Sequence, residues 1–88
     1  MNRITQLQLD TKAAHVSGML RGLRVEVQRR NGSTALDLYE GTSCVQLLTV
    51  GTARQVADFL DAMAETLYIV GRASWDERQA VRSSREAV

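Results

Sequence analysis

Residues 23–49 read LRVEVQRRNGSTALDLYEGTSCVQLLT, in which apolar and polar residues alternate around two tight-turn signals. Asn31-Gly32 is the preferred pair for a two-residue type I′ turn, which requires a positive φ at both positions. With this turn in place, Val27 lies opposite Leu36, and the apolar side chains of both strands share one face. A register slip of one residue would scatter them over both faces. The sequence therefore predicts a β-hairpin.

The second turn signal is Gly41-Thr42, where a glycine at the first turn position favours a type II′ turn. This turn would place Val45 opposite Leu38 and extend the hairpin to a three-stranded antiparallel meander. The predicted strands span residues 23–30, 33–40 and 43–49. The side chains predicted to point inward are all apolar: Leu23, Val25, Val27, Leu36, Leu38, Val45 and Leu47.

One long amphipathic helix is predicted over residues 52–70. Thr52 and Gln55 form a capping-box pattern at its start, and Gly71 suits the left-handed residue beyond a helix end. Its apolar stripe recurs at helical spacing: Val56, Leu60, Met63, Leu67 and Val70. We expect this helix to pack on the inward face of the meander, which makes the fold α+β.

Weaker helices are predicted at both ends of this single domain of residues 1–88. Asp10 could cap a short helix within the N-terminal segment 1–22, and Ser74 could begin a separate C-terminal helix or tail over residues 74–86. A chain of this length fits one domain.

Composition narrows the class of protein. Cys44 is the only cysteine, which excludes an intramolecular disulfide and a cysteine-based zinc site. The chain starts with polar residues, and no apolar run approaches the roughly 20 residues needed to span a bilayer. We therefore expect a cytoplasmic protein that does not enter the membrane.

Catalytic patterns are missing from the sequence. His15 is the only histidine, and it points away from the apolar stripe of its predicted helix. No nucleophile–base pair, metal-ligand set or glycine-rich phosphate loop is present. The sequence predicts a protein that is not an enzyme and uses neither a metal nor a cofactor.

The face of the meander that points away from the long helix, called the outer face below, is unusually apolar. It is predicted to carry Tyr39, Cys44, Leu48 and Val50, and a large exposed apolar patch usually marks a contact. Two interpretations remain open. Either the N-terminal helix folds over this face, or the face binds a partner protein or a second copy of the chain.

Charged residues offer two further candidate surfaces. Asp58, Asp61 and Glu65 form an acidic strip on the long helix, which is either a solvated face or a docking site for a basic partner. Three arginines near the hairpin could contact nucleic-acid phosphates: Arg24, Arg29 and Arg30. The pI of about 8.0 lies below the roughly 9 typical of nucleic-acid-binding domains.

The sequence favours a non-enzymatic interaction module: a small regulator or inhibitor that acts through protein–protein contacts. The partner in such a contact could be a second copy of the chain, which would make the protein a homodimer. Its size class is common among bacterial and phage accessory proteins. The alternative is a nucleic-acid-binding module that uses the arginine-bearing hairpin and the C-terminal helix.

Overall fold

A computed structural model describes residues 3–86, and of residues 74–86 it describes the helical backbone only. The elements follow in the order α1 (Gln6–Met19), β1 (Arg24–Arg30), β2 (Ser33–Glu40), β3 (Ser43–Gly51) and α2 (Ala53–Glu86). The strands form one antiparallel sheet in the order β1-β2-β3. The predicted α+β class and its β-meander are confirmed.

The β1–β2 hairpin has the predicted register. Val27 pairs with Leu36, and Arg30 pairs with Ser33 across the turn. The turn residues Asn31 and Gly32 have φ values of 52° and 78°. Positive φ at both central positions is the type I′ requirement that made Asn-Gly the expected pair.

The β2–β3 register differs from the prediction. Near the turn Tyr39 pairs with Cys44, but Leu38 pairs with Gln46 instead of Val45. A second irregularity lies between Leu36 and Asp37, so β3 takes up one extra residue at each of two places. Each inserted residue is a β-bulge, which shifts the side-chain alternation that a regular strand would keep.

Because of the two bulges, part of the predicted set of inward-facing residues is wrong. Val45 and Leu47 were expected in the core, yet they are 51% and 50% exposed. Leu48 was expected on the outer face, yet it is half-buried and packs against the core. The reason is the period of two along a strand: one extra residue moves its followers to the opposite face.

The core lies on one side of the sheet and takes side chains from both helices. It contains Leu9, Ala13, Val16, Val25, Leu36, Val56, Ala57 and Leu60. α1 contacts β1 and α2, whereas α2 contacts β2 and β3. Because the buried residues of α1 share this core with Leu36, α1 lies on the inner side. The interpretation in which α1 covers the outer face is therefore wrong.

α1 begins earlier than predicted. Its N-cap is Thr5, whose Oγ1 accepts a hydrogen bond from the Gln8 amide at 3.1 Å, while Gln8 Oε1 accepts from the Thr5 amide at 2.8 Å. This reciprocal capping box outcompetes Asp10 as a helix start. Asp10 instead lies inside the helix, where its carboxylate accepts a hydrogen bond from Gln6 Nε2 at 2.9 Å.

α2 is one continuous helix, so the predicted end at Gly71 and the separate helix from Ser74 are not seen in its backbone. A glycine inside a helix costs only about 1 kcal/mol relative to alanine. The residues after Gly71 are rich in Arg, Ala, Glu and Gln, which are strong helix formers. Extending an existing helix through them is easier than starting a new one.

Candidate functional site

The outer face of the sheet is defined by three rows of cross-strand neighbours. Paired residues in an antiparallel sheet share a face, so the register sets each row directly. The rows are Arg24, Tyr39 and Cys44; Glu26, Asp37 and Leu47; and Gln28, Ala35 and Val50. The core residues of both helices pack on the other side of the sheet.

The apolar part of the outer face differs by one residue from the predicted interface. Cys44 and Val50 are exposed there, and Tyr39 is half-buried. Leu48 points into the core, and Leu47 takes its place on the outer face. The structure therefore brings together three of the four predicted interface residues and adds Leu47.

Two ion pairs cross the same face. The Asp37 carboxylate is completely buried, and its Oδ2 lies 2.5 Å from Nη2 of Arg30. Arg24 lies 3.5 Å from the carboxylate of Glu26, and its guanidinium carbon lies 4.8 Å from the Tyr39 ring centroid. Glu26 and Asp37 face each other across β1 and β2, and each carboxylate has its own arginine.

The three arginines proposed for nucleic-acid contact do not form one surface. Arg24 and Arg30 lie on the outer face and are engaged in the ion pairs above. Arg29 pairs with Thr34 on the opposite face. The separation follows from the alternation of side chains along β1, which places adjacent residues on different faces.

Arg29 instead belongs to a basic cavity at the start of α2. The cavity has a volume of about 590 Å³ and is lined by Arg3, Ile4, Arg29, Thr52, Ala53 and Arg54. Three guanidinium groups from three separate segments make it electropositive. Sequence reasoning missed Arg3 and Arg54 because no local pattern links them to Arg29.

The predicted acidic strip is partly neutralised within the chain. Asp61 Oδ1 lies 2.6 Å from Lys12 Nζ of α1, and Asp58 Oδ1 lies 3.5 Å from Arg54 Nε. All three acids of the strip are exposed. The Lys12 pair links the two helices, so this strip contributes to the contact between them as well as facing solvent.

A second apolar surface lies on α2, beside its core-facing side. A groove of about 300 Å³ is lined by Phe59, Ala62, Met63, Thr66 and Leu67. One turn further on, Ile69 and Val70 are 58% and 59% exposed. The sequence placed Met63, Leu67 and Val70 on the stripe expected to be buried. Met63 and Leu67 are half-buried and pack against the core, whereas Val70 is exposed.

Groups that could support chemistry are dispersed. His15 and Cys44 are both exposed, on α1 and β3 respectively. Among the residues with described side chains, no three His, Cys, Asp or Glu residues are close enough to hold a metal ion. Within the same part of the chain, no helix has the length and hydropathy that a bilayer span requires. What the described surfaces offer is apolar area, ion pairs and a basic cavity.

No protein-family model, curated protein or solved structure matches this chain.

Proposed function

We propose that the protein is a non-enzymatic interaction module that binds another protein through the outer face of its sheet, as a small regulator or inhibitor does. One observation carries the proposal: Leu47 and Val50 are half exposed on the outer face, whereas the described core side chains of both helices pack on the other side of the sheet. Contiguous exposed apolar surface on a small protein is typical of a contact with another protein.

The arrangement of this face favours a partner with an apolar surface bordered by polar groups. Leu47 and Val50 supply the apolar centre, and the Arg24–Glu26 and Arg30–Asp37 ion pairs lie beside it. An apolar centre surrounded by polar groups is the usual anatomy of protein interfaces. The ion pairs also fix the arginine side chains, which lowers the entropy cost of binding.

A single substitution tests the proposal. Leu47→Lys would place an ammonium group inside the interface, where an unpaired buried charge is costly. Because Leu47 is half exposed in the free chain, the variant should melt close to the wild type. Thr42→Lys adds the same charge in the exposed turn between β2 and β3 and is the matched control.

The measurement is quantitative affinity capture from a lysate of the native host, followed by titration of the purified captured protein. We expect a protein that wild type and Thr42→Lys retain and that Leu47→Lys loses. If no captured protein separates Leu47→Lys from Thr42→Lys, the outer face is not the binding surface and the proposal is wrong.

Nucleic-acid binding is the competing function. The salt dependence of binding distinguishes it from protein binding through an apolar face. Binding through several phosphates weakens by orders of magnitude between about 50 and 200 mM salt, whereas an apolar interface responds little. Because Arg24 and Arg30 have partners within the chain, we expect no tight binding to a labelled DNA duplex or single strand. Tight, steeply salt-dependent binding that Arg29→Ala abolishes would favour the competing function.

A further inference from the structure

The two edges of the sheet differ in how they are protected. β1 and β3 are the outer strands, and some residues of each turn their backbone N–H and C=O groups away from β2. On β1 one of these residues is Val25, whose amide donates to Ser17 Oγ of α1 at 2.9 Å. Four of the seven residues of β1 are charged, which hinders pairing with another chain. The β1 edge is therefore charged and partly covered by α1.

The β3 edge has neither the charges nor the helix. Its nine residues include no charged residue and no proline, and the first five are exposed. Val45, Leu47 and Val50 are each about half exposed. Within the described residues, no hydrogen bond engages the backbone groups that β3 turns away from β2. An uncharged edge with unpaired N–H and C=O groups is a template for one more β-strand.

The two bulges set the spacing of these unpaired groups. The residues of β3 that turn their N–H groups outward are those whose partners on β2 bond to β1 instead. They are Cys44, Leu47 and Val50. The outward N–H groups therefore recur every three residues, whereas a regular strand presents them every two. Because a bulge also bends its strand and increases the twist, a regular strand matches this edge poorly.

A second copy of β3 has the same spacing of three. We propose that two copies of the chain pair edge to edge through β3, antiparallel, with Leu47 beside Leu47 of the other copy. Cys44 of each copy then lies beside Val50 of the other. All three outward positions find partners in this register, and each pair exchanges two N–H···O bonds. Any other antiparallel register leaves at least one of the three positions in each copy unpaired.

Charge favours the antiparallel direction. This direction brings the turn end of one β3, next to Glu40, toward the far end of the other β3, where α2 begins and Arg54 lines the basic cavity. Glu40 is exposed, and within the described part of the chain no ion pair or hydrogen bond engages its carboxylate. A parallel pair would instead bring the basic cavities of both copies to the same end, which their like charges disfavour.

The pairing buries apolar side chains that the free chain exposes. On the outer face, Leu47 packs beside its own copy and Cys44 packs beside Val50 of the other chain, since directly opposite residues share a face. The two sheets become one sheet of six strands, and the two outer faces become one continuous surface. The pairing enlarges the surface to which we assign partner binding, and it does not depend on that assignment.

Sedimentation equilibrium over a range of micromolar concentrations tests the pairing with two substitutions at one residue. Val50→Pro removes an outward N–H and puts a ring in the path of a neighbouring strand, but takes no donor from the β2–β3 ladder. Val50→Ala removes the same apolar side chain and keeps the N–H. We expect twice 9.8 kDa for the wild type and for Val50→Ala, and a monomer for Val50→Pro. Circular dichroism checks that both variants keep the fold.

Cysteine crosslinking tests the register without a proline. Val50→Cys sets a thiol beside the native Cys44 of the other copy, at the Cα separation of roughly 5.5 Å of a hydrogen-bonded pair, which a disulfide can span. We expect a covalent dimer under mild oxidation with diamide. The control Cys44→Ser/Val50→Cys keeps one thiol per chain and should not form one. A Val50→Cys protein that crosslinks no faster than this control would overturn the register.

The pairing and the proposed function can fail separately, because mass and partner capture are different measurements. A wild type that is monomeric at every concentration, or a folded Val50→Pro variant that stays dimeric, overturns the pairing alone. Leu47 belongs to both surfaces, so capture is also measured with Val50→Pro. A dimeric wild type whose captured proteins are all retained by Leu47→Lys overturns the proposed function alone.

Discussion

The carboxylate of Asp37 is completely buried in the middle of the sheet, and Arg30 holds it from the end of the neighbouring strand, with Nη2 2.5 Å from Oδ2. The register places Ala35 between them on the same face. Ala35 has a side chain small enough to let the arginine cross above it. This pair explains how an acidic residue sits at the centre of a three-stranded sheet.

Removing the arginine should therefore destabilise the sheet. Arg30→Ala leaves a buried carboxylate without its partner, a loss of about 1–3 kcal/mol. This loss of stability is smaller than the loss expected for a fully buried ion pair, because the Arg30 side chain is 51% exposed and solvent screens its charge. Arg29→Ala, one residue earlier and exposed, should change stability by less than about 0.5 kcal/mol. Urea denaturation measures both, and equal midpoints would contradict the role of the pair.

Truncation of the core should unfold much of the domain. Leu60 is fully buried between the helices and the sheet, so we expect Leu60→Ala to cost about 2–5 kcal/mol. Asp58→Ala, on the exposed side of the same helix, removes only the surface pair with Arg54 and should cost less than about 0.5 kcal/mol. Thermal melting of the two variants checks the orientation of α2. Comparable melting temperatures would mean that α2 faces the sheet differently.

Two glycine-to-alanine substitutions test the effect of backbone conformation at sites where an added side chain has room. An added Cβ meets nothing within 4 Å at either Gly18 or Gly32, but Gly32 has a φ of +78°. Gly32→Ala should cost about 1–2 kcal/mol because the left-handed region is strained for alanine. Gly18→Ala, inside α1, should stabilise the protein by up to about 1 kcal/mol. Shifts of the same sign in chemical denaturation would argue against the type I′ turn.

A third glycine tests the continuity of α2. Gly71 lies inside the helix and an added Cβ meets nothing within 4 Å. Gly71→Ala should therefore strengthen the helical circular-dichroism signal at 222 nm. It should also raise the free energy of unfolding by about 0.5–1 kcal/mol. A glycine that ended a helix in the left-handed conformation would respond in the opposite way. A destabilised Gly71→Ala variant would mean that the helix stops there.

Local signals account for the parts of the fold that the sequence predicted well. The Asn31-Gly32 turn, the β1–β2 register and the capping box at Thr52 each depend on residues close together in the chain. The start of α1 also depends on a local signal, the capping-box spacing of Thr5 and Gln8, but the prediction placed it wrongly at Asp10.

The sequence by itself determined the α+β class, the meander and the amphipathic start of α2, because turn geometry and the period of two depend on neighbouring residues. Only the tertiary structure decided which face each residue of β3 occupies. Two bulges admit Leu48 to the core and expose Leu47, and an inserted residue leaves no signature in an alternating pattern. The Arg30–Asp37 pair, the Arg3–Arg29–Arg54 cavity and the side on which α1 packs were likewise tertiary outcomes. Each joins segments that are distant in the chain, and their juxtaposition follows from burying one shared core.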